Sequence, residues 1–174
     1  MPEVCEDPMF TGNLSARGQN YLLREAQAAD LEQIIALMAD DEIRRAEYAG
    51  AGDEGEHYLE AFNEIDADPA HTLIVVEGND GTIVGTMQLT TLPGLARRGA
   101  KRMQIEAVRV ASGLRGGGLG TEMIRWAIAE AENKKISLIQ LTSDAQRLDA
   151  HRFYEGLGFT ASHVGFKMRI AISP

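Results

Sequence analysis

The sequence feature that most constrains the fold lies in residues 108–121, where an apolar strand pattern runs into a glycine-rich turn and a helix pattern follows at once. The strand ends in Val108, Arg109 and Val110. After Arg115, four glycines fall within five residues: Gly116, Gly117, Gly118 and Gly120. Unshielded backbone N–H groups at the first turn of a helix can bind phosphate or pyrophosphate. The alternative interpretation of an isolated turn of this kind is a flexible connection.

The length of 174 residues is enough for one buried core and predicts a single domain, residues 19–174, after a flexible tail, residues 1–18. The acidic N-terminus does not resemble a secretory signal, and no apolar run reaches the length of a membrane span. We therefore expect a cytoplasmic protein with no membrane partner. The only cysteine, Cys5, excludes an internal disulfide, and the four histidines lack ligand spacing, so we expect no metal.

The negative charge is concentrated in one segment. Residues 40–68 contain eleven acidic side chains against Arg44 and Arg45, a difference that equals the whole net charge of -9. Such a run is usually a solvated helical face, and attraction of a cationic substrate or partner is the functional alternative. The overall acidity argues against nucleic-acid binding, which depends on neutralising phosphates.

The hydrophobic periodicity predicts a mixed α+β fold. A helix is expected to begin at Asp30, which would cap it together with Gln33. Further helices are predicted at residues 53–67, 119–132 and 147–157. Strands are predicted at residues 21–25, 72–76, 82–89, 103–110 and 137–142, with one or two closing strands in 159–172.

The strand that precedes the glycine turn changes phase. Met103 and Ile105 are apolar at odd positions, whereas Val108 and Val110 are apolar at even positions. One inserted residue near Glu106 would restore the alternation, which predicts a β-bulge there. A bulge leaves backbone groups unpaired and available to a ligand.

Two familiar phosphate motifs fail at this turn. Leu119 stands where a nucleoside-triphosphate loop requires lysine. A dinucleotide-binding fingerprint requires a third glycine where this chain has Thr121.

A coenzyme A motif does fit. The stretch from Arg115 to Gly120 resembles the Arg/Gln-x-x-Gly-x-Gly/Ala motif of the GNAT N-acetyltransferase superfamily. Residues 150–159 resemble that family's Ala-x-x-x-Tyr-Glu-x-x-Gly-Phe signature, and Glu106 stands nine residues before the motif arginine. The resemblance extends over residues 21–170.

The resemblance implies a mostly antiparallel sheet whose strands 103–110 and 137–142 separate into a V, flanked by helices, with acetyl-CoA as cosubstrate. Backbone groups of Val108, Arg109 and Val110 would pair with pantetheine. The N–H groups that would hold the pyrophosphate belong to Arg115, Gly116, Gly117, Gly118, Leu119 and Gly120, together with Thr121. The family's usual asparagine is replaced by Arg147, so Ser143 or Asp144 would take over its pantetheine contact.

The implied reaction is transfer of an acetyl group from acetyl-CoA to a primary amine. Glu106 is the candidate base, acting through water because a carboxylate is a weak base. Tyr154 is the candidate donor to the departing thiolate. The structural alternatives are a hydrogen-bonding strand residue for Glu106 and a core aromatic for Tyr154.

The acceptor is expected to be a small-molecule or peptide amine, and the acidic segment makes a cationic amine the working hypothesis. No nucleic-acid partner is expected, and a homodimer stays open. A protein of another class, a non-catalytic acyl-CoA sensor or interaction module, is the alternative to an enzyme.

Overall fold

Six β-strands form one sheet in the computed structural model, which describes residues 11–41 and 55–170. The strands lie side by side in chain order, and the first four neighbouring pairs are antiparallel. They are β1 (Thr11–Ala16), β2 (Gln19–Glu25), β3 (His71–Glu77), β4 (Ile83–Leu92), β5 (Arg102–Val110) and β6 (Leu138–Leu141). The predicted mixed α+β fold with a mostly antiparallel sheet is confirmed.

Four helices of nine residues or more occur in those same ranges: α1 (Leu31–Ala39), α2 (Gly55–Ala67), α3 (Leu119–Asn133) and α4 (Leu148–Gly156). All four were predicted. None of them is long and apolar enough to cross a membrane. The predictions that concern Cys5 and residues 42–54 lie outside the described residues.

The chain divides into two compact units, residues 1–140 and 141–174. The first contains β1 to β5 and α1 to α3, and the second contains α4. The single domain over residues 19–174 stays a prediction.

The first two strands form a hairpin that the sequence interpretation missed. The predicted tail is wrong for Thr11–Ala16, which form β1 and pair with β2. Arg17 and Gly18 form the two-residue turn with φ angles of 49° and 75°, the left-handed values that hairpin turns favour. Leu14 and Tyr21 face each other across the hairpin and are buried.

The bulge predicted in β5 is confirmed. Thr86 pairs with Arg109 and Gln88 pairs with Glu106, so Ala107 and Val108 together stand opposite a single residue of β4. Ala107 has a φ of 53°, which is rare for a residue with a side chain. The bulge therefore lies between the candidate base and the strand end that leads to the glycine turn.

Helix α3 leads from the glycine turn and buries an apolar stripe, as predicted. Leu119, Met123, Ile124, Ala127 and Ala131 are all buried. Gly85 in β4 allows this close packing, because a Cβ there would lie 3.1 Å from the sulfur of Met123. The packing fixes the start of α3 relative to the sheet.

The predicted cap of α1 is confirmed in position, because Asp30 is the N-cap residue, but its side-chain capping bond is not formed. Asp30 does not cap the helix with its side chain; its Oδ2 accepts a hydrogen bond from the N–H of Gln27 at 2.7 Å. Gln33 instead accepts a bond from the N–H of Ile83 at 2.9 Å. The side chain of Asp30 thus bonds to the 3-10 turn that precedes α1, and that of Gln33 makes a long-range contact with β4.

The predicted closing strands are also wrong for the described residues, because residues 159–170 contain no strand. Val164, Phe166, Met168 and Ile170 alternate with polar residues and are largely exposed. Alternation of apolar and polar residues indicates that a segment can be extended. A β-strand also requires a neighbouring strand that forms hydrogen bonds with its backbone.

Candidate active site

The glycine turn in the first unit has a geometry that only glycine suits. A short 3-10 turn, Ser112–Leu114, precedes it. Gly116 and Gly118 have φ angles of 69° and 91°, which side chains disfavour. A Cβ on Gly117 would lie 2.8 Å from the carbonyl oxygen of Leu114, too close for an unshifted backbone.

The start of α3 supplies N–H groups that point out of the helix. The first helical bond runs from the N–H of Glu122 to the oxygen of Gly118 at 3.1 Å. The N–H groups of Leu119, Gly120 and Thr121 therefore have no acceptor inside the helix. Such groups favour an anionic ligand.

Two of the N–H groups predicted to hold an anion are already used inside the turn. The N–H of Arg115 donates to the oxygen of Ser112 at 3.3 Å, and that of Gly117 donates to the oxygen of Leu114 at 3.1 Å. The candidate anion donors narrow to the other glycines of the turn and the first residues of α3.

The side chain of Arg115 joins three parts of the first unit. Its Nε donates to the carbonyl oxygen of Val110 at 3.0 Å. Its Nη2 donates to the backbone oxygen and to Oδ2 of Asp40, both at 2.9 Å. One guanidinium thus links the turn to the end of β5 and to the residue that follows α1.

Arg109, near the end of β5, makes a similar pair of contacts, one to a backbone oxygen and one to an acidic residue after α1. Its Nη1 donates to the carbonyl oxygen of Val108 at 2.8 Å, and its Nη2 lies 3.2 Å from Oδ2 of Asp41. Asp41 is buried, with a side-chain exposure of 4%, and Arg109 is half-buried at 17%. The carbonyl groups of Val108 and Val110, which were predicted to pair with pantetheine, therefore accept bonds from arginine.

Arg17 is a further cation at the turn that the sequence interpretation missed. Its Nη2 donates to the carbonyl oxygen of Gly116 at 3.0 Å. A cavity of about 150 Å³ separates the hairpin turn from Leu114, Gly117 and Leu119. That volume is below the range of small-molecule pockets, so the cavity is a packing gap beside the turn.

Glu106, the candidate base, lies at the bulge with its side chain exposed. Ile105 and Met103, its apolar neighbours on β5, are buried. Two residues before Glu106, Oε1 of Gln104 accepts a hydrogen bond from Nε2 of Gln140 at 2.7 Å, which joins β5 to β6. Exposure at the bulge is compatible with a base that acts through water.

In the second unit, Tyr154 lies on α4 between two other aromatic rings. The rings of Phe153 and Phe159 meet it edge to face, with centroid distances of 5.0 and 5.7 Å. Gly158 follows the helix with a φ of 93°, as expected for the residue that ends it. The aromatic contacts hold the tyrosine ring, which is half-buried.

The turn before α4 is organised by Asp144. Its carboxylate accepts the N–H of Gln146 at 2.9 Å, and its carbonyl oxygen bonds to the N–H of Arg147 at 3.0 Å and to Nε2 of His151 at 2.9 Å. Ser143 lies half-buried just before this turn. Asp144 thus has a structural role in the turn, and the pantetheine contact of Ser143 or Asp144 stays a prediction.

The first unit brings together Glu106, Val108, Arg109, Val110 and the residues of the glycine turn, whereas Ser143 and Tyr154 belong to the second unit. No group of three or more potential metal ligands occurs in residues 11–41 and 55–170.

The comparison with known families agrees with this geometry. The model of the acetyltransferase (GNAT) family matches residues 31–159, which include β3 to β6 and the glycine turn. The chain belongs to the GNAT acetyltransferase family.

Individual relatives differ in what they are named for. The structure is similar to that of a transcriptional regulator from Bacillus halodurans C-125, at 45% identity and a TM-score of 0.78, covering 85% of this chain and 98% of that one. A predicted acetyltransferase with acetyl-CoA from Clostridium acetobutylicum shares the fold at 17% identity and a TM-score of 0.65, covering 86% and 96%.

A stretch of 63 residues is 35% identical to the aminoalkylphosphonate N-acetyltransferase of Salmonella typhimurium. That match covers 36% of this chain and 41% of the relative, so the chain matches less than half of the length of that enzyme.

Proposed function

We propose that this protein is an N-acetyltransferase that transfers an acetyl group from acetyl-CoA to a primary amine by direct attack on the thioester. The observation that carries the proposal is the glycine turn at the start of α3, where Gly116, Gly117 and Gly118 keep a backbone conformation that side chains would disturb. It stands beside a bulged strand, in a chain of the GNAT family.

The turn fits a pyrophosphate group. The N–H groups of Leu119, Gly120 and Thr121 point out of α3 and would hold it, with support from the positive end of the helix. Backbone groups of residues 108–110 would hold pantetheine, and Ser143 would add a contact. Acetyl-CoA supplies an activated acyl group, so orientation and proton handling are the main tasks of the protein.

The proton steps fall to two side chains. An alkyl ammonium has an ordinary pKa of about 10.4 and must lose a proton before it attacks. Glu106 would accept that proton through water. Tyr154 would donate a hydrogen bond to the departing sulfur as the carbon–sulfur bond breaks.

The substitution Gly117→Ala is expected to raise the Kd for CoA about fivefold. The new Cβ would lie 2.8 Å from the oxygen of Leu114, so the turn must open. Gly113→Ala is the matched control, because nothing lies within 4 Å of a Cβ there. Isothermal titration measures both, and equal Kd values for the two variants would contradict the assigned role of the turn.

Glu106→Gln is expected to lower kcat/KM for the amine about fivefold at neutral pH, because the amide cannot accept the proton of the ammonium. The deficit should shrink as pH rises towards the pKa of the acceptor, where the amine loses its proton unaided. A pH profile of kcat/KM for both proteins measures this. A deficit that stays constant with pH would assign Glu106 a structural role.

The acceptor class is proposed from charge. Asp40 and Asp41 belong to the acidic segment but are paired with Arg115 and Arg109, so they are not free to attract a cationic acceptor. The Salmonella relative is named for an amine that carries an acidic phosphonate group. We propose a small-molecule amine. Cationic amines are the working class because the acidic residues 56, 60, 64, 66 and 68 of the segment are exposed, and the phosphonate in the name of the relative makes anionic amines the class to test against them. The predicted cytoplasmic location and the homodimer stay predictions.

A panel of amines tests the acceptor and the enzyme class together. Polyamines, aminoglycosides, amino acids, aminoalkylphosphonates and peptides would each be incubated with acetyl-CoA, and acetylated products detected by mass. Activity on anionic amines alone would refute the cationic class.

The alternative of a non-catalytic acyl-CoA sensor is favoured by one observation, the 45% identity to a protein named as a transcriptional regulator. The net charge of -9 speaks against direct contact with DNA, so a regulator of this kind would act through another protein. Acetyl-CoA binding without an acetylated product from any amine in the panel would favour this alternative.

A further inference from the structure

The two acidic residues directly after α1 contact the two arginines of the donor half of the site. Asp40 binds Arg115, and Asp41 binds Arg109. The partners lie 75 residues apart in the first pair. These contacts tie the end of α1 to β5 and to the glycine turn.

The deeper pair is fixed by burial. The carboxylate of Asp41 is only 4% exposed, and Arg109 is 17% exposed. A buried carboxylate without its cation is strongly unfavourable, so the pair restrains Arg109. The restrained guanidinium donates to the carbonyl oxygen of Val108 at 2.8 Å. Asp41 thus pairs with the guanidinium that donates to this backbone oxygen.

The outer pair depends on the shape of the guanidinium. Arg115 uses Nε for the oxygen of Val110 and Nη2 for both oxygens of Asp40 that face it. A lysine has one nitrogen on a flexible stem and cannot reproduce this fork. Because Arg115 begins the glycine turn, its anchoring restricts the turn itself.

We propose that Asp40 and Asp41 are positioning residues of the donor site: they hold Arg115 and Arg109 against the carbonyl groups of Val110 and Val108, and thereby keep the turn and the end of β5 ready for pyrophosphate and pantetheine. The inference rests on the proposed use of acetyl-CoA. It assigns two charges of the acidic segment to donor binding and removes them from acceptor recognition.

The sign of the effect separates positioning from simple electrostatics. CoA is an anion, so removal of a nearby carboxylate would tighten its binding if charge acted only at a distance. Positioning predicts the opposite. Asp40→Asn is expected to raise the Kd for CoA about threefold to fivefold, with an unchanged melting temperature. Glu32→Gln, which removes one exposed charge from the other end of α1, is the matched control and should leave the Kd unchanged.

A double-mutant cycle tests whether Asp40 acts through Arg115. Arg115→Lys keeps the positive charge but loses the fork, and is expected to weaken CoA binding about as much as Asp40→Asn. The Kd of the double variant for CoA should be no higher than the higher Kd of the two single variants, because each change breaks the same contact. Additive losses would overturn the proposal.

The shortened ligand pantetheine, which lacks the pyrophosphate, provides a second readout. Asp40→Asn should raise the Kd for pantetheine less than the Kd for CoA, because Arg115 begins the turn and reaches β5 only at Val110. The double variant Asp41→Asn/Arg109→Gln removes both charges of the deeper pair, so that no unpaired buried charge is left. It should raise the Kd for CoA and for pantetheine about threefold.

If the wild type binds CoA, and Asp40→Asn binds CoA as tightly as the wild type or more tightly, the inference is overturned. A wild type that binds no CoA refutes the proposed function instead.

Discussion

Replacement of Tyr154 by phenylalanine is expected to lower turnover by about tenfold or more, with little change in the affinity for acetyl-CoA. The substitution removes only the hydroxyl and keeps the ring between Phe153 and Phe159, so α4 should keep its aromatic contacts. The lost interaction is the proposed hydrogen bond to the departing sulfur, which matters while the bond breaks.

The ordinary pKa values of the two groups indicate what the hydroxyl of Tyr154 does. A phenol has a pKa of about 10 and a thiol about 8.5, so full proton transfer between unperturbed groups would cost roughly 2 kcal/mol. Stabilisation of the thiolate by a hydrogen bond is therefore the expected role, not complete protonation.

The measurement is kcat with the best amine of the panel, beside a titration of acetyl-CoA binding. Ser15→Ala is the control, because it removes an exposed hydroxyl that donates to Asn20 at 2.6 Å, and neither residue lines the cavity beside the glycine turn. Unchanged turnover in Tyr154→Phe would remove this residue from the mechanism.

The substitution Asp30→Asn is expected to lower the free energy of unfolding by about 3 kcal/mol at neutral pH. Asp30 lies 2.7 Å from Arg24, which also contacts Glu77 at 2.8 Å. The side chains of Arg24 and Asp30 are 14% and 9% exposed. An asparagine would remove one of the two carboxylates that balance the positive charge of Arg24, at a position where water solvates that charge poorly.

The pH dependence identifies the same carboxylate. Burial alone would raise the pKa of Asp30, but the hydrogen bonds from Arg24 and from the N–H of Gln27 outweigh it and hold the pKa below its usual value. The hydrogen bond to Asp30 raises the pKa of Arg24 in turn, against the effect of burial. A lowered folded-state pKa stabilises the protein above the unfolded value of about 3.9, and this stabilisation is lost as pH falls through the folded value.

Denaturant unfolding at neutral pH and at about pH 3 would measure the difference between the wild type and Asp30→Asn. The difference should narrow at the lower pH. Asp149→Asn, which changes a carboxylate that is 94% exposed, is the control. A difference that is independent of pH would show that ionisation of Asp30 does not stabilise the fold.

Local sequence patterns predicted the elements that surround the site. The phase change beside Glu106 predicted the bulge, because a strand alternates strictly and one extra residue must shift it. The apolar stripe after the glycine turn predicted α3, and Gly158 predicted the end of α4. Each of these signals depends on residues within a few positions of one another.

The contacts that fasten the turn could not be predicted in the same way. Arg17 reaches Gly116 across 99 residues, and Arg115 reaches Asp40 across 75. A contact between distant residues has no characteristic spacing in the sequence. The acidic residues after α1 therefore could not be distinguished from acidic side chains on a solvated helical face. For β1 a signal did exist, since Gly18 supplies the glycine that a two-residue hairpin turn favours.

The most direct test of the account is the response of the backbone amides of the glycine turn to CoA. Amide chemical shifts would be recorded for the wild-type protein with CoA and with pantetheine. Strong shifts with CoA and small shifts with pantetheine are expected for the amides of Gly116, Gly118, Leu119, Gly120 and Thr121, because only CoA carries the pyrophosphate. Amides of the turn that stay unmoved at saturating CoA would contradict it.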